Sequence, residues 1–413
     1  MTHRFDTLVL GAGIVGVSVA VHLQARGHSV ALIDRRAPGQ ETSHGNGGLI
    51  QREGVYPYAF PRSLRALFKY AGNRAPDVRY HATALPRVAP FLARYWWHSA
   101  PRSHAAIARR YATLIEHCVA EHRVLARMAG VADMIRPSGW LKVFRDAASQ
   151  DRELRQSEQW RREYGVAYEA HDAARLRAIE PHLSGLVGAL RYVDADTVGD
   201  PRGLTQAYAR YFQRLGGQLL MGDAMSLEPG WSVDTDAGPV QGRAAVVALG
   251  PWSGDLGRRL GYRLPLAVKR GYHMHYKAQA GTGLRHPVLD ADNGFLLAPM
   301  AQGIRLTTGA EFALRDARRT PVQLAAVEPL ARAIFPLGEP VDTQAWMGAR
   351  PCTPDMMPIV GPAPRHGNLW FACGHAHHGL TLGPVTGRLL AEMMTGAETL
   401  VDPAPFAMTR FRT

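Results

Sequence analysis

The stretch from residue 7 to residue 34 constrains the fold of this chain more than any other. A short apolar run is followed at once by Gly11, Gly13 and Gly16 in the pattern GxGxxG, and a helical stretch then leads to a second apolar run that ends at Asp34. Glycines at this spacing permit a tight turn, close approach of the backbone to a pyrophosphate, and close packing of helix on strand. The sequence therefore predicts an α/β fold that begins with a dinucleotide-binding βαβ unit.

The acid that ends the second predicted strand narrows the choice of dinucleotide. Asp34 follows Gly11 by roughly 20 residues, where a carboxylate accepts hydrogen bonds from the ribose hydroxyls of an adenosine and disfavours the 2′-phosphate of NADP. The next loop, ETSHGNGGLIQ at residues 41–51, places two glycines behind Asn46. Such a loop can run beside a pyrophosphate and a flat ring, which favours FAD over NAD; an ordinary surface loop is the alternative.

The composition excludes several other classes of protein. The formal net charge is +13, but the basic residues are scattered and no aromatic and basic recognition motif accompanies them, so we expect no nucleic-acid partner. Cys118, Cys352 and Cys373 are far apart and form no CxxC pair, which argues against a disulfide framework or a structural zinc site. Without a signal peptide or an uncharged apolar run of about 18 residues, the sequence predicts a cytoplasmic protein, with peripheral membrane contact left open.

The middle of the chain mixes helical and strand patterns. Residues 57–136 are rich in Arg and aromatic residues and include the pair Trp96 and Trp97. We interpret this pair as core packing under a helical lobe; the alternative is a basic aromatic surface that contacts anionic lipid. Further on, Asp200 and Pro201 predict the start of an amphipathic helix. The chain thus begins and ends in α/β structure, with two separate segments forming another lobe.

Three histidines in the stretch GHAHHGLTLGP, residues 374–384, raise the question of a metal site. His375, His377 and His378 fall within four positions, but no carboxylate or Cys motif at metal-ligand spacing accompanies them. We therefore predict no metal. The glycines and the predicted helix start matter more, because the positive end of a helix can stabilise negative charge on a ligand.

Taken together, the motifs closely resemble those of the D-amino-acid oxidase superfamily of FAD enzymes, and within it the bacterial D-amino-acid dehydrogenases, including D-hydroxyproline dehydrogenase-like enzymes. The resemblance rests on VLGAGIVG, ETSHGNGGLI, GDPRGL, VVALGPWS, KRGY, GARPCTPDMMPIVG and NLWFACGHAHHGLTLGP, and spans nearly the whole chain. It implies a Rossmann-like, glutathione-reductase-like FAD-binding domain and an α+β substrate domain with a mixed sheet. The implied FAD-binding segments are 1–56, 196–264 and 340–413; the substrate-binding segments are 57–195 and 265–339.

The resemblance also implies which residues hold a non-covalent FAD. His44 lies near the point where some relatives attach the flavin covalently, but its register differs. The implied cofactor residues are Gly11, Gly13, Ile14, Val15 and Gly16 at the pyrophosphate, Asp34 and Arg35 at the adenosine, Ser43, Asn46, Gly47, Gly48 and Leu49 along the ribityl chain, Ala224 and Gly250 at further FAD contacts, and His375, Gly379, Leu380 and Thr381 near the flavin pyrimidine end.

For the substrate, the resemblance assigns Arg350 of GARP to the carboxylate, because a guanidinium offers two parallel N–H donors. Tyr272 is assigned a third hydrogen bond. His377 and His378 stand at positions that vary within the family, and there we predict a positioning role for His377. The implied reaction oxidises a D-amino acid or a cyclic D-imino acid, such as D-proline or D-hydroxyproline, to the imine by hydride transfer from Cα to flavin N5. A quinone or another non-oxygen acceptor would take the electrons. Oxidation of N-methyl amino acids such as sarcosine, or of glycine, is an alternative, and a non-catalytic flavoprotein subunit is another.

Overall fold

A computed structural model describes residues 3–411 of the chain, apart from the side chains of His3 and Ala66. The helices are α1 (Ile14–Gln24), α2 (Leu64–Ala71), α3 (Leu85–His98), α4 (Pro101–Ile115), α5 (Cys118–Ala129), α6 (Ala147–Tyr164), α7 (Ala173–Ile179), α8 (Pro201–Arg214), α9 (Ser253–Arg259), α10 (Val322–Arg332) and α11 (Gly379–Thr395). The strands are β1 (His3–Leu10), β2 (Val30–Asp34), β3 (Leu49–Ile50), β4 (Val78–Tyr80), β5 (Ile135–Arg136), β6 (Trp140–Phe144), β7 (Tyr168–Asp172), β8 (Gly188–Tyr192), β9 (Asp196–Val198), β10 (Gln218–Met221), β11 (Ser232–Val233), β12 (Val240–Val247), β13 (Ala267–Ala278), β14 (Val288–Asp290), β15 (Phe295–Met300), β16 (Gly303–Thr307), β17 (Ala310–Phe312), β18 (Leu337–Pro340), β19 (Trp346–Cys352), β20 (Ile359–Pro362) and β21 (Leu369–Cys373).

The first sheet is built around the predicted βαβ unit. Its strand order is β10-β2-β1-β12-β21-β20, with β11 paired to β12, and β1 runs parallel to both β2 and β12. Helix α1 packs against α11, where a Cβ on Gly387 would lie 2.5 Å from the backbone of Ser18. Because only glycine fits at that contact, the last helix of the chain can lie close against the first and cover the same face of the sheet.

The second sheet is larger and mixed. Its order is β4-β17-β13-β16-β15-β14-β6-β8-β7, with β18 and β19 also paired to β13; most of its pairs are antiparallel, whereas β14–β6 and β17–β4 are parallel. Its apolar core contains the buried side chains of Tyr276, Phe295, Leu297 and Val327. A small sheet of β3, β9 and β5 joins a segment near the first sheet to the second lobe.

The sheet pairing corrects one predicted domain boundary. We expected residues 340–413 to belong to the FAD-binding domain, but β19 pairs with β13 over seven residue pairs in the second sheet, including Lys269 with Arg350. Strand β19 therefore belongs to the second sheet, and the chain returns to the domain of the first sheet only after Cys352. The boundary was predicted from the order of segments along the chain, which does not show that β19 pairs with β13.

The prediction that Trp96 and Trp97 pack in the core is wrong. Trp97 is 69% exposed and Trp96 is 38% exposed. Helix α3 instead turns Phe91 and Tyr95 inward, which lie four positions apart on one helical face. The two tryptophans fall on the other side of the helix, where the guanidinium of Arg62 lies 3.6 Å from the Trp96 ring centroid.

Two other expectations concern the helices. The predicted helix after Asp200 is confirmed: α8 begins at Pro201, and the Asp200 carboxylate caps it by accepting a hydrogen bond from Gly203 N at 2.9 Å. Within residues 3–411, no helix combines the length and the apolar character needed to cross a membrane.

Candidate active site

One cavity of about 830 Å³ runs from the first sheet to the second. At one end it is lined by Gly11, Gly13 and Asp34 of the βαβ unit, and at the other by Arg350 and Lys269 of the second sheet. Because the carboxyl ends of β1 and β2 lead directly into it, the cavity lies where open α/β sheets hold their ligands.

The end near the first sheet is shaped by backbone. Gly11 has φ +106°, and a Cβ there would lie 2.5 Å from Ala248 O, so the turn requires glycine. Gly13 precedes α1 without a side-chain cap, and the first turn of that helix holds no acid. The positive end of α1 thus faces the cavity, as a pyrophosphate requires.

The acid predicted to bind the adenosine ribose also lies here. Asp34 accepts hydrogen bonds from Ala12 N at 2.7 Å and Arg36 N at 3.0 Å, and burial raises the pKa of its carboxyl. Arg35 lines the cavity and pairs with Glu41 at 3.1 Å. Ala224 and Gly250 line the same end, as do Ile14 and Val15. The residues present fit the adenosine diphosphate portion of FAD.

The loop at residues 42–49 is held in place by the second sheet. Arg305 donates hydrogen bonds to the carbonyl oxygens of His44 at 3.0 Å and Asn46 at 2.6 Å, and Ser43 Oγ accepts one from Ile14 N at 3.0 Å. Ser43, Asn46, Gly47 and Leu49 line the cavity, as does the start of α11 at Gly379 and Leu380. A flavin ring between this loop and α11 would therefore meet backbone on two sides.

Three predicted cofactor residues support the cavity without lining it. Gly16 lies where a Cβ would overlap Gly11 O, and Gly48 has φ +75° with no room for a Cβ beside Val198 O. Thr381 Oγ1 donates to Leu49 O at 3.2 Å and accepts from Gln51 N at 3.3 Å. These residues fix the backbone that carries the cavity wall, and their contact with FAD stays a prediction.

Arg350 occupies the other end as a half-buried cation. Its Nη1 donates to the carbonyl oxygens of Gly309 at 3.1 Å and Arg270 at 3.3 Å, and burial lowers the pKa of its guanidinium. Within residues 3–411, no carboxylate lies within ion-pair distance of it. A Cβ on Gly271 would lie 2.6 Å from the guanidinium nitrogens, so glycine is required beneath it.

The structure does not fit the prediction that Tyr272 holds the substrate carboxylate. Its hydroxyl donates to Glu311 Oε2 at 3.0 Å and accepts from Arg270 Nη2 at 2.8 Å and Thr320 N at 2.9 Å. A phenol has one proton to donate, and here the Glu311 carboxylate takes it. Tyr272 is among the residues that line the cavity, but it is one residue from Gly271 along β13, so its side chain points to the opposite face of the sheet from the Arg350 guanidinium.

Tyr58 is the tyrosine that sequence reasoning missed. It lines the cavity, its ring centroid lies 4.5 Å from that of His377, and 49% of its surface is accessible. Burial raises the pKa of its hydroxyl, the Glu53 charge adds to that rise, and the Arg350 charge opposes it. No motif signalled Tyr58, because it comes from an irregular segment.

The three histidines near the start of α11 separate into different roles. His375 Nε2 contacts Thr386 Oγ1 at 3.0 Å and His378 Nδ1 contacts Tyr111 OH at 2.7 Å; burial lowers the pKa of His375 to about 3 and that of His378 to about 4. His377 lines the cavity with Nδ1 buried and unpartnered. Across residues 3–411, no group of three or more His, Cys, Asp or Glu residues is placed to hold a metal ion.

These features define a class of protein: a dinucleotide-binding α/β protein whose cavity continues from the βαβ unit to the two cations Arg350 and Lys269. The model of one family, described as "DAO: FAD dependent oxidoreductase", matches residues 6–393. The chain belongs to this family of FAD-dependent oxidoreductases, which confirms the predicted cofactor class and the prediction that it is an enzyme.

Its relatives include amino-acid dehydrogenases and oxidases. The chain is 30% identical over 424 residues to a D-amino acid dehydrogenase of Chromohalobacter salexigens, covering 98% of this chain and 99% of that protein. It is also 30% identical over 418 residues to a D-amino-acid oxidase of Bradyrhizobium diazoefficiens, covering 98% of each chain.

Two solved structures show the same fold. Glycine oxidase from Geobacillus kaustophilus matches with a TM-score of 0.74 and 24% identity over 100% of both chains. L-proline dehydrogenase from P. horikoshii matches with a TM-score of 0.75 and 18% identity, covering 100% of this chain and 98% of that chain. At these sequence identities, the structural similarity establishes the fold and not the function. It confirms the predicted α/β architecture with an FAD-binding domain and a mixed-sheet substrate domain.

Proposed function

We propose that this enzyme oxidises a D-amino acid or a cyclic D-imino acid to the corresponding imine, and that Arg350 binds the substrate carboxylate. The observation that carries the proposal is a half-buried guanidinium that lines the cavity and has no carboxylate partner within residues 3–411. A cation withdrawn in part from water without a counter-ion is costly unless a ligand neutralises it. A carboxylate does so with two parallel hydrogen bonds.

Two further side chains complete the proposed substrate site. Tyr58 replaces Tyr272 as the donor of an additional hydrogen bond to the carboxylate, since it lines the cavity together with Arg350 and its ring lies 4.5 Å from that of His377. Burial and the charges of Arg350 and Lys269 lower the pKa of His377, so its ring is neutral at pH 7. Its unpartnered Nδ1 can accept a hydrogen bond from the substrate amine and so orient it.

When bound, FAD supplies the two-electron acceptor for the Cα–H bond. The chain's own contribution is to hold the substrate in one orientation and to exclude water from the pocket. We propose non-covalent binding, because His44 does not line the cavity and its ring packs against His273 and Trp346. The imine product leaves the enzyme and is hydrolysed in water, or remains as a cyclic imine.

The pocket beyond Arg350 favours a substrate with a side chain. Its wall continues to Phe60, Leu92 and Phe312, which leaves room that glycine or sarcosine would not fill. The D-configuration rests on the relatives named above. A role as a non-catalytic flavoprotein subunit is disfavoured by the intact and unpaired Arg350.

Anaerobic reduction of the bound flavin tests this function. Purified holoenzyme is mixed without oxygen with D-, L-, N-methyl and cyclic amino acids, and loss of the visible flavin absorption is followed. We expect D-amino acids or D-proline to reduce the flavin fastest. Preferential reduction by sarcosine, or no reduction by any amine donor, would overturn the proposal.

We further propose that electrons pass to a quinone at an anionic membrane surface. Residues 57–115 contain ten Lys and Arg residues but one acid, Asp77, and the same segment exposes Leu64, Phe68 and Trp97 at 73%, 78% and 69%. Helix α2 also contributes Leu67 to the cavity, so the apolar surface adjoins the pocket. Such a surface suits a bilayer with anionic headgroups.

Vesicle co-sedimentation tests the membrane contact. We expect binding to vesicles with anionic lipid, little binding to neutral vesicles, and loss of binding in the double variant Phe68→Ser, Trp97→Ser. Rapid reduction of a soluble quinone analogue and slow reaction with oxygen are expected of the same holoenzyme. Equal sedimentation of wild type and variant, or fast peroxide release, would contradict this part of the proposal.

A further inference from the structure

Lys269 is a second cation in the substrate end of the cavity, and it is buried. It lies on β13 directly opposite Arg350 on β19, and residues directly opposite each other on neighbouring strands point to the same face of a sheet. Both residues line the cavity. The two side chains then diverge: the Arg350 guanidinium lies over Gly271, whereas Lys269 Nζ approaches Tyr95 and Met356.

The partners of Lys269 are all neutral. Its Nζ donates to Tyr95 OH at 2.9 Å and approaches Met356 Sδ at 3.9 Å, and only 4% of the residue is exposed. An ammonium has three protons to donate. Within residues 3–411, no carboxylate lies within ion-pair distance of Nζ. The best acceptor available to the remaining proton is thus a ligand in the cavity.

Arg270, the next residue on the same strand, is a buried cation whose charge is neutralised within the protein. Arg270 is 0% exposed and pairs with Glu311 Oε2 at 2.6 Å. It also donates to the carbonyl oxygens of Ala317 at 2.6 Å and Arg318 at 2.9 Å. Arg270 is therefore neutralised by the protein, whereas Lys269 is not.

We propose that Lys269 binds a second anionic group on the substrate, so that the pocket selects amino acids whose side chain ends in a carboxylate. The inference rests on the proposed function and narrows its substrate class. Arg350 would take the α-carboxylate and Lys269 the side-chain carboxylate, while Leu92 and Phe312 pack against the methylene groups between them. Apolar walls strengthen such a pair because they exclude water.

The charge state of Lys269 agrees with this role. Burial and the Arg350 charge lower the pKa of the Lys269 ammonium to about 8, so most of it is charged at pH 7. The other titratable groups that face it are Cys352, Tyr95 and His377. None of these supplies a full negative charge at that pH.

Ligand binding tests the inference without requiring turnover. Glutarate and butyrate are titrated into the FAD holoenzyme, and the change in the visible flavin spectrum gives a dissociation constant for each. We expect glutarate to bind at least tenfold tighter than butyrate in the wild type. Lys269→Met should remove that preference without weakening butyrate, and Lys269→Arg should retain it.

Lys277 provides the matched control, because it is an exposed lysine on the same strand. Lys277→Met should bind both carboxylates as the wild type does. Equal affinity of the wild type for the two ligands would overturn the inference, as would a Lys269→Met variant that weakens both equally. If Lys269→Met does not fold, the wild-type preference and its retention in Lys269→Arg still decide.

The two proposals fail separately. If glutarate is preferred and no amino acid reduces the flavin, the anion site stands and the proposed reaction is wrong. If D-proline or D-leucine reduces the flavin faster than D-glutamate, the reaction stands and the inference about Lys269 is wrong.

Discussion

The two faces of strand β13 both carry cations, but only on one face does a cation have a carboxylate partner. On one face, Arg270 is paired with Glu311 and Tyr272. On the other, Lys269 and its cross-strand neighbour Arg350 line the cavity without a carboxylate partner in residues 3–411. Residues adjacent along one strand thus serve different purposes: the closed face stabilises the fold, and the open face is completed by a ligand. The difference predicts that substitutions on the closed face reduce stability and those on the open face reduce binding.

The largest effect on stability is expected for Glu311→Gln. Removing the carboxylate leaves the Arg270 charge buried without a counter-ion, which costs about 3–5 kcal/mol. We expect the free energy of unfolding in urea to fall by that amount. A normal unfolding curve for Glu311→Gln would contradict the assignment of this face to the fold. Glu339→Gln, at an exposed position on β18, serves as the control.

Arg350→Met should give the largest effect on activity. Each hydrogen bond to a charged group contributes about 1.5–3 kcal/mol, so losing two predicts a fall in kcat/KM of about a hundredfold or more. Stability should change little or rise, because Met removes an unpaired, half-buried charge. A lower free energy of unfolding together with an unchanged rate of flavin reduction would assign Arg350 to the closed face instead.

Gly271→Ala changes the position of the Arg350 guanidinium on the open face without changing its charge. A Cβ at this site would lie 2.6 Å from the Arg350 guanidinium, so the cation must move while remaining charged. We expect a fall in kcat/KM of about tenfold or more, since small misplacements of a clamp are costly. Steady-state kinetics at several substrate concentrations measures it, and unchanged KM and kcat would show that the guanidinium does not hold the substrate.

The two tyrosines give a paired comparison of smaller size. Tyr58→Phe should raise KM by about tenfold through one lost hydrogen bond to a carboxylate and leave the melting temperature unchanged. Tyr272→Phe should lower the free energy of unfolding by about 1–3 kcal/mol, because it leaves buried partners unsatisfied, and leave KM unchanged. If the two effects were exchanged, the original assignment of Tyr272 to the substrate would be restored.

The smallest expected effect is a pH dependence on the open face. The pKa of Lys269 is lowered to about 8, and the charge that binds an anion is present below that value. We expect glutarate affinity to fall as pH rises through about 8, by at most tenfold per unit, while butyrate affinity does not change over this range. Lys269→Arg should abolish the decline. The pH profiles of the two dissociation constants provide the measurement.

The nucleotide end of the cavity could be predicted from the sequence, because its wall is formed by backbone whose conformation depends on glycines at fixed spacing. Gly11 is needed for its positive φ, and Asp34 follows at a spacing fixed by one strand, one helix and one turn. The substrate end was predicted less well. In KRGY, side chains alternate between the two faces of a strand, so the sequence predicts that Arg270 and Tyr272 share a face. It does not predict which face lines the substrate pocket. That choice depends on β17 and β19, which are distant in sequence.

Residues outside any motif were the hardest to predict. Tyr58 reaches the cavity from an irregular segment, and its contact with His377 joins positions more than 300 residues apart. The exposure of Trp97 likewise follows from which face of α3 carries Phe91 and Tyr95. Local sequence indicates a helix here, whereas tertiary packing decides its orientation.

On this proposal, the open face of β13 holds the carboxylate of an amino acid beside the flavin. The rate at which a D-amino acid reduces the flavin anaerobically should be compared in the wild type, in Arg350→Met and in Glu311→Gln. We predict fast reduction in the wild type, a loss of about a hundredfold or more in Arg350→Met, and a nearly normal rate in folded Glu311→Gln. Equal rates in the wild type and Arg350→Met would contradict the account.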